Sequence, residues 1–323
     1  MTKTVSEAHP QLWHYTTAIG LQGILTSQHL WATDISYLND AEEFTGFFDR
    51  RLPLILTESF RMATEEICKT TEGLNYIDSL GGPEEVASTN SKALSDALRL
   101  VTLNFQVYVT SFCRPTNRNP EDGLLSQWRG YGLDGGYAIV FDTKDLEKLL
   151  SKEEKAFSYS FIHWGDVDYH DDESSHEEAL EWIAIIQETA RKFILEPDSD
   201  KQKKIIEAFF RPVLSLTTRH KHGGFREESE LRIVAIGPPV NAPKGSDNRP
   251  NKPISFAPSN GVLVPYISLF KGLDDRNCRL PIRKIIVGPH PEKIKRKSAV
   301  EKLLDQIGIE AEVIVSDIPY LGR

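Results

Sequence analysis

Two stretches of this chain concentrate acids, bases and imidazole closely enough to suggest chemistry. Asp166-x-Asp168-x-His170-Asp171-Asp172 gathers hard oxygen donors and an imidazole of the kind a Mg²⁺- or Mn²⁺-dependent nuclease uses. The same stretch reads more simply as a helix start. Ser174 can cap the helix with Glu177 at its third position, and acids there complement the positive end of the helix dipole. The stretch also lacks the glycine and terminal bidentate glutamate of a calcium loop, so no metal is expected. The second stretch is Phe225-Arg226-Glu227-Glu228-Ser229-Glu230-Leu231-Arg232, which runs into a strand at 229–237. Strand alternation puts Glu228, Glu230 and Arg232 on one face, about 6.5–7 Å apart. Taken alone, that pattern fits a solvated salt ladder as well as it fits a catalytic carboxylate.

Planar and aromatic groups cluster in two other places. Trp13-His14-Tyr15-Thr16-Thr17 opens a short strand, where a lone histidine reads most simply as half-buried on a backbone carbonyl. Gln127-Trp128-Arg129-Gly130-Tyr131-Gly132 is followed by Gly135-Gly136-Tyr137. Tyr131 and Tyr137 offer flat faces, Arg129 a donor fork for phosphate, and Trp128 a core residue or the wall of a cleft. The glycines serve a turn at Asp134-Gly135 joining two strands over 124–142, and with no helix following they are not a dinucleotide fingerprint. In Leu38-Asn39-Asp40-Ala41-Glu42-Glu43 a capping box accounts for Asp40 and Glu43 and leaves Asn39 to face a cleft.

The elements that would position these groups follow from periodicity. Helices are expected near 18–28, from 40 to about 69, at 84–100, 174–196 and 200–211, and strands at 12–17, 30–33, 106–113 and 157–169. Residues 238–253 read as a surface loop, and 283–288, 291–307 and 310–315 as strand, helix and strand. The expectation is one α+β domain over 1–323 with a helical insertion at about 143–222. Lys and Arg number 38 against 47 Asp and Glu, a net charge of −9. Residues 165–188 hold nine acids and no Lys or Arg, which accounts for all of it, so a polyanionic partner is not excluded. Eight Lys and Arg against four acids in 201–232, and six against one in 283–297, are the positive segments. Three cysteines without Cys-x-x-Cys spacing, no apolar leader and no apolar run of membrane length point to a cytoplasmic chain with no membrane partner.

Taken in order, the His14, Asn39, Gln127–Tyr137 and Phe225–Arg232 motifs and the closing IIVGPHPEKIKR…VIVSDIPY resemble the bacterial domain-of-unknown-function family 2971 over nearly the whole chain. That family is similar to a remote branch of the ADP-ribosyltransferase superfamily. The resemblance implies a mixed, split β-sheet core with a helical insertion and a C-terminal strand–helix–strand. It implies NAD as substrate and transfer of ADP-ribose to a nucleic-acid or protein acceptor. It gives Glu230 the role of stabilising the ribosyl cation, with Glu228 helping the acceptor and Arg129 assisting. His14 would meet the adenine-side ribose and the backbone at Tyr15 and Thr16 the nicotinamide amide, with Tyr131 and Tyr137 offering flat faces to the nicotinamide and Asn39 and Trp128 bordering the cofactor cleft. A toxin or anti-phage effector with a neutralising partner protein fits this scheme. NAD hydrolysis and a non-catalytic nucleotide-binding module are the alternatives, ahead of a metal-dependent nuclease.

Overall fold

A computed structural model describes residues 4–38, 46–102, 105–115, 121–132, 135–169, 177–238, 249–259, 261–273 and 279–319. Its centre is a ten-stranded mixed sheet. The strands that matter for the site are β1 (Gln11–Thr16), β2 (Leu30–Asp34), β3 (Val107–Cys113) and β4 (Tyr137–Asp142). They are followed by β5 (Phe161–Asp166), the short β6 (Asp168–Tyr169) and β7 (His220–Lys221), and β8 (Glu230–Ile236). The chain then adds β9 (Ile254–Ser259), β10 (Val262–Leu269), β11 (Ile282–Val287) and β12 (Glu312–Val315).

The sheet divides at β3. One edge of β3 pairs with β8 along its whole length, from Val107↔Ile236 to Cys113↔Glu230. The other edge is shared: β1 meets it at Trp13↔Cys113, and β2 at Thr33↔Val109 and Asp34↔Tyr108. Beyond β1 lie β4, β11 and β12; beyond β2 lie β10 and β9; beyond β8 lies β5. Strands β11 and β12 are parallel and joined by a helix, Lys293–Ile307, as the C-terminal periodicity requires.

The two faces of the sheet are covered differently. On one, Leu12, Ile139, Phe141, Leu231, Ile233 and Ile267 meet the helices Ala18–Ser27, Thr143–Ala156 and Lys293–Ile307. A separate helical core forms around Phe60 and Phe209. It draws on Leu52–Ile67, Thr71–Ser79 and Pro83–Thr102 as well as Glu177–Leu195 and Ser199–Thr217. The helical material is therefore supplied by two separated segments. Within 143–222, the first helix and β5 belong to the sheet core.

The hairpin expected over 124–142 is replaced by a helix, Leu125–Tyr131, leading into β4. Trp128 drives this change. Its buried indole packs edge-on against Tyr15 at 4.7 Å between centroids and donates from Nε1 to the Asp122 carbonyl at 3.0 Å. The glycines of the segment allow close approach. A Cβ on Gly288 would lie 1.7 Å from the Gly135 carbonyl oxygen, and Gly135 and Gly136 both have positive φ. The strand expected at 229–237 begins at Glu230, because Gly223–Glu228 forms a 3₁₀ turn and Ser229 adopts a left-handed conformation at φ 46°. The β9–β10 hairpin lies between the loop expected at 238–253 and the strand expected at 283–288, in a segment for which no element is expected.

Candidate functional site

The division of the sheet opens a cleft of about 480 Å³. Antiparallel alternation determines what the backbone offers there. Arg114 N–H donates to the Ser229 carbonyl and Gly237 N–H to the Gln106 carbonyl, so the even-numbered residues of β3 present their amides to β8. Val109, Ser111 and Cys113 therefore present theirs to the other edge. Val109 meets β2 and Cys113 meets β1, while Ser111 falls between the two contacts. By the same alternation Trp13 and Tyr15 present N–H and C=O toward β3, since Pro10 accepts on the β4 side. Tyr15 and Ser111 thus bring a peptide donor and acceptor each to the mouth of the split.

His14 lies at the floor of this gap. Its Nδ1 is 3.0 Å from the Ser111 carbonyl, which can only accept, so Nδ1 carries the proton. Burial lowers its pKa against the opposing pull of that hydrogen bond. The ring is neutral at physiological pH, and Nε2 remains as an acceptor. Tyr15 packs between Trp13 and Trp128, and its hydroxyl accepts from the Leu124 amide at 2.9 Å.

On the opposite side, Glu230 begins β8 and is 4% exposed. Arg232 donates from Nε to its Oε1 at 2.8 Å and from Nη2 to its Oε2 at 3.3 Å, and Lys221 Nζ shares Oε2 at 3.0 Å. Lys221 also reaches Glu228 at 2.6 Å, and Arg232 Nη1 donates to the Thr218 carbonyl. The left-handed Ser229 lets both carboxylates turn onto one ammonium, where a straight strand would hold them about 6.5–7 Å apart. Burial pushes the Glu230 carboxyl up, but Arg232 and Lys221 outweigh it and bring the pKa down to about 2. Glu230 is therefore an anion at every physiological pH. Cys113 is its opposite. Burial, reinforced by Glu230 and Glu228, raises the thiol well above its ordinary value and so favours its protonated form.

The cleft brings together His14, Tyr15, Tyr131, Glu228 and Glu230 from widely separated parts of the sequence. Other expected residues stand elsewhere. Tyr137 is buried on the opposite face of the sheet with Ile139 and Phe141. Trp128 is core, packed behind Tyr15, and Arg129 is exposed on its helix outside the cleft lining. Thr16 sits at the end of β1 against Gly20, and Asn39 lies outside the described residues. Lys221, buried to 1% exposure, is the residue that sequence reasoning missed most clearly, together with Ser111, Trp31 and Tyr37 in the cleft lining. The tract 219–224 reads as polar and basic, and nothing in it signals a buried lysine. Burial follows from the pairing of β7 with β6, in register Tyr169↔Lys221, and from Phe225, whose ring lies 4.7 Å from the ammonium.

The acidic stretch is described only in part. Asp166 ends β5 and pairs with His9 at 3.0 Å and Arg114 at 3.2 Å, while Asp168 lies in β6. Residues 170–172 and Ser174 lie outside the described residues. Among the described residues no three His, Cys, Asp or Glu side chains converge as metal ligands, and no helix is long and apolar enough to cross a membrane.

Residues 127–233 match the model of a protein family described as protein of unknown function, DUF2971. The match runs from the Trp128 helix to the middle of β8 and so includes Glu228, Glu230 and Lys221. No curated protein and no solved structure matches the chain.

Proposed function

We propose that the cleft binds NAD and that the protein is an NAD-dependent ADP-ribosyltransferase on a divided sheet of the ADP-ribosyltransferase type. The observation that carries this reading is the convergence of an ionised carboxylate, a neutral histidine and two strand-edge peptides on one cleft. Each part matches a demand of the chemistry. Cleaving the nicotinamide–ribose bond sends the bonding pair to the already cationic ring, which leaves neutral, and creates an oxocarbenium-like cation on the ribose. A fixed anion beside that carbon stabilises the cation, and Glu230 supplies one without any proton movement. A carboxamide needs one donor and one acceptor side by side, which a strand edge at Tyr15 offers. His14 Nε2 accepts from a ribose hydroxyl. The acceptor nucleophile then attacks the ribosyl carbon and gives up its proton, with Glu228 at the cleft wall to receive it. If water takes the acceptor's place, the reaction is NAD hydrolysis.

One observation favours a second reading, a non-catalytic nucleotide-binding module. Arg232, Lys221 and the Ser111 side chain already occupy the lone pairs of Glu230. A ribose hydroxyl must displace one of them. The decisive experiment incubates purified full-length protein with NAD, alone and with DNA, RNA or lysate, and follows nicotinamide release. Release that falls about 100-fold or more in Glu230→Gln is the expected result. Binding without turnover under every condition supports the module, and neither binding nor turnover removes NAD from the account.

A further inference from the structure

The cleft that Glu230 borders is also lined by Trp31, stacked on Tyr266 and without a role in the transfer chemistry. We propose that Trp31, backed by Tyr266, is a platform on which a nucleobase stacks; the inference rests on the nucleotide reading of the cleft and adds the subsite for a base.

Trp31 belongs to β2, an interior strand paired with β3 on one side and β10 on the other. Its neighbours Leu30 and Ala32 are buried in the sheet core, and alternation turns Trp31 to the cleft face with Thr33. There the indole is 53% exposed, although its strand is enclosed on both sides. Tyr266 lies against it at 4.1 Å between centroids and 25° between planes, and the Thr110 hydroxyl donates to the Trp31 carbonyl at 2.7 Å. A half-exposed indole covered on one side and tied through its backbone is a rigid flat surface. A flat, half-exposed indole face bordering a cleft that also offers hydroxyls and charged groups gains most from a planar heteroaromatic ligand. Thr33, Tyr37 and Ser259 on the same wall provide hydroxyls for the sugar or the base edge.

Position supports the assignment. Extended past Thr33↔Val109, the β2–β3 register brings Trp31 opposite Ser111, which pairs with Arg232, one two-residue step from Glu230. Two strand spacings across and two residues along amount to roughly 12 Å. A diphosphate-bridged pair of ribosides spans that reach, so a riboside held at Glu230 can place its second base on Trp31. The base of a nucleic-acid acceptor is the other source of the same chemistry.

The test titrates full-length wild type, Trp31→Phe and Trp31→Ala with AMP and, separately, with a ten-nucleotide oligothymidylate. Binding is read by calorimetry in all three proteins and also by tryptophan fluorescence in wild type. Thermal melts confirm that the variants are folded. The proposal predicts saturable AMP binding with quenching, about 10-fold or more weaker in Trp31→Ala and partly retained in Trp31→Phe. Trp31-dependent binding of the oligonucleotide alone also supports the platform and assigns the base to the acceptor. Equal affinities in wild type and Trp31→Ala, or no binding of either probe, overturn it. Nicotinamide release measured alongside separates the two claims. Trp31-dependent AMP binding without turnover leaves the platform standing and sinks the transferase, whereas turnover with the same KM for NAD in Trp31→Ala does the reverse.

Discussion

Two buried glutamates in this molecule share their chemistry and differ in their access. Glu153 is fully buried, pairs with Lys252 at 2.5 Å, and accepts from the Tyr159 hydroxyl at 2.7 Å and the Phe270 amide at 2.9 Å. Lys252 in turn donates to the Lys271 carbonyl and lies 3.8 Å from the centre of the Phe157 ring. The pair ties the helix Thr143–Ala156 to the end of β10, and neither residue borders the cleft. Glu230 is likewise paired with a buried ammonium, with a guanidinium where Glu153 has a hydroxyl and an amide, yet it lies on the wall of a cleft of about 480 Å³. Burial and ion pairing therefore do not by themselves mark a functional carboxylate. On the proposed reading, what sets Glu230 apart is the open cleft beside it with other oriented groups along it.

The comparison can be broken from either side. Glu153→Gln leaves Lys252 buried without its counter-charge, and urea unfolding should show a loss of about 3–5 kcal/mol. Replacing both partners in Glu153→Gln/Lys252→Met should recover most of that loss. A double variant as unstable as the single one contradicts a purely structural pair. At the cleft, Lys221→Met leaves Glu230 with Arg232 as its ionic partner. Nicotinamide release should fall about 10-fold, and the acid limb of the pH–rate profile should move upward as the carboxyl pKa rises from about 2. An unmoved limb would mean that Lys221 only fills space.

Acid unfolding gives a smaller effect with a definite sign. The folded pKa of Glu230 is depressed, from 4.5 to about 2. Its contribution to stability is complete above about 4.5 and is lost as pH falls from there to about 2. Glu230→Gln should flatten the stability profile across that window, as measured by urea midpoints at successive pH values. The smallest effect belongs to His14. With its pKa lowered by burial, its ring resonances should stay unchanged through neutral pH and shift only below about 6.5. A midpoint above that value would show an imidazolium at the floor of the cleft.

Much of the architecture was legible in the chain. The C-terminal strand–helix–strand follows from its periodicity, and the strand expected at 106–113 and the body of β8 from theirs. His14 and Glu230 were singled out and do share one cleft. What was not legible depends on contacts distant in sequence. Tyr137 was aimed at the cleft, but both faces of β4 are buried, so alternation groups Tyr137 with Ile139 and Phe141 without saying which face they take. Turn chemistry in 124–142 pointed to a hairpin, and the burial of Trp128 against Tyr15 made a helix instead. Glu228 was expected on the strand with Glu230 and stands on a 3₁₀ turn, because Ser229 ends the turn in a left-handed conformation that alternation cannot anticipate.

The central claim is that access to the cleft, not burial or pairing, separates Glu230 from Glu153. The most direct measurement is nicotinamide release from NAD by wild type, Glu230→Gln and Glu153→Gln, side by side at a temperature where circular dichroism shows all three folded. The account predicts a loss of about 100-fold or more in Glu230→Gln and a rate close to wild type in Glu153→Gln. Equal losses in the two variants, or full activity in Glu230→Gln, would contradict it.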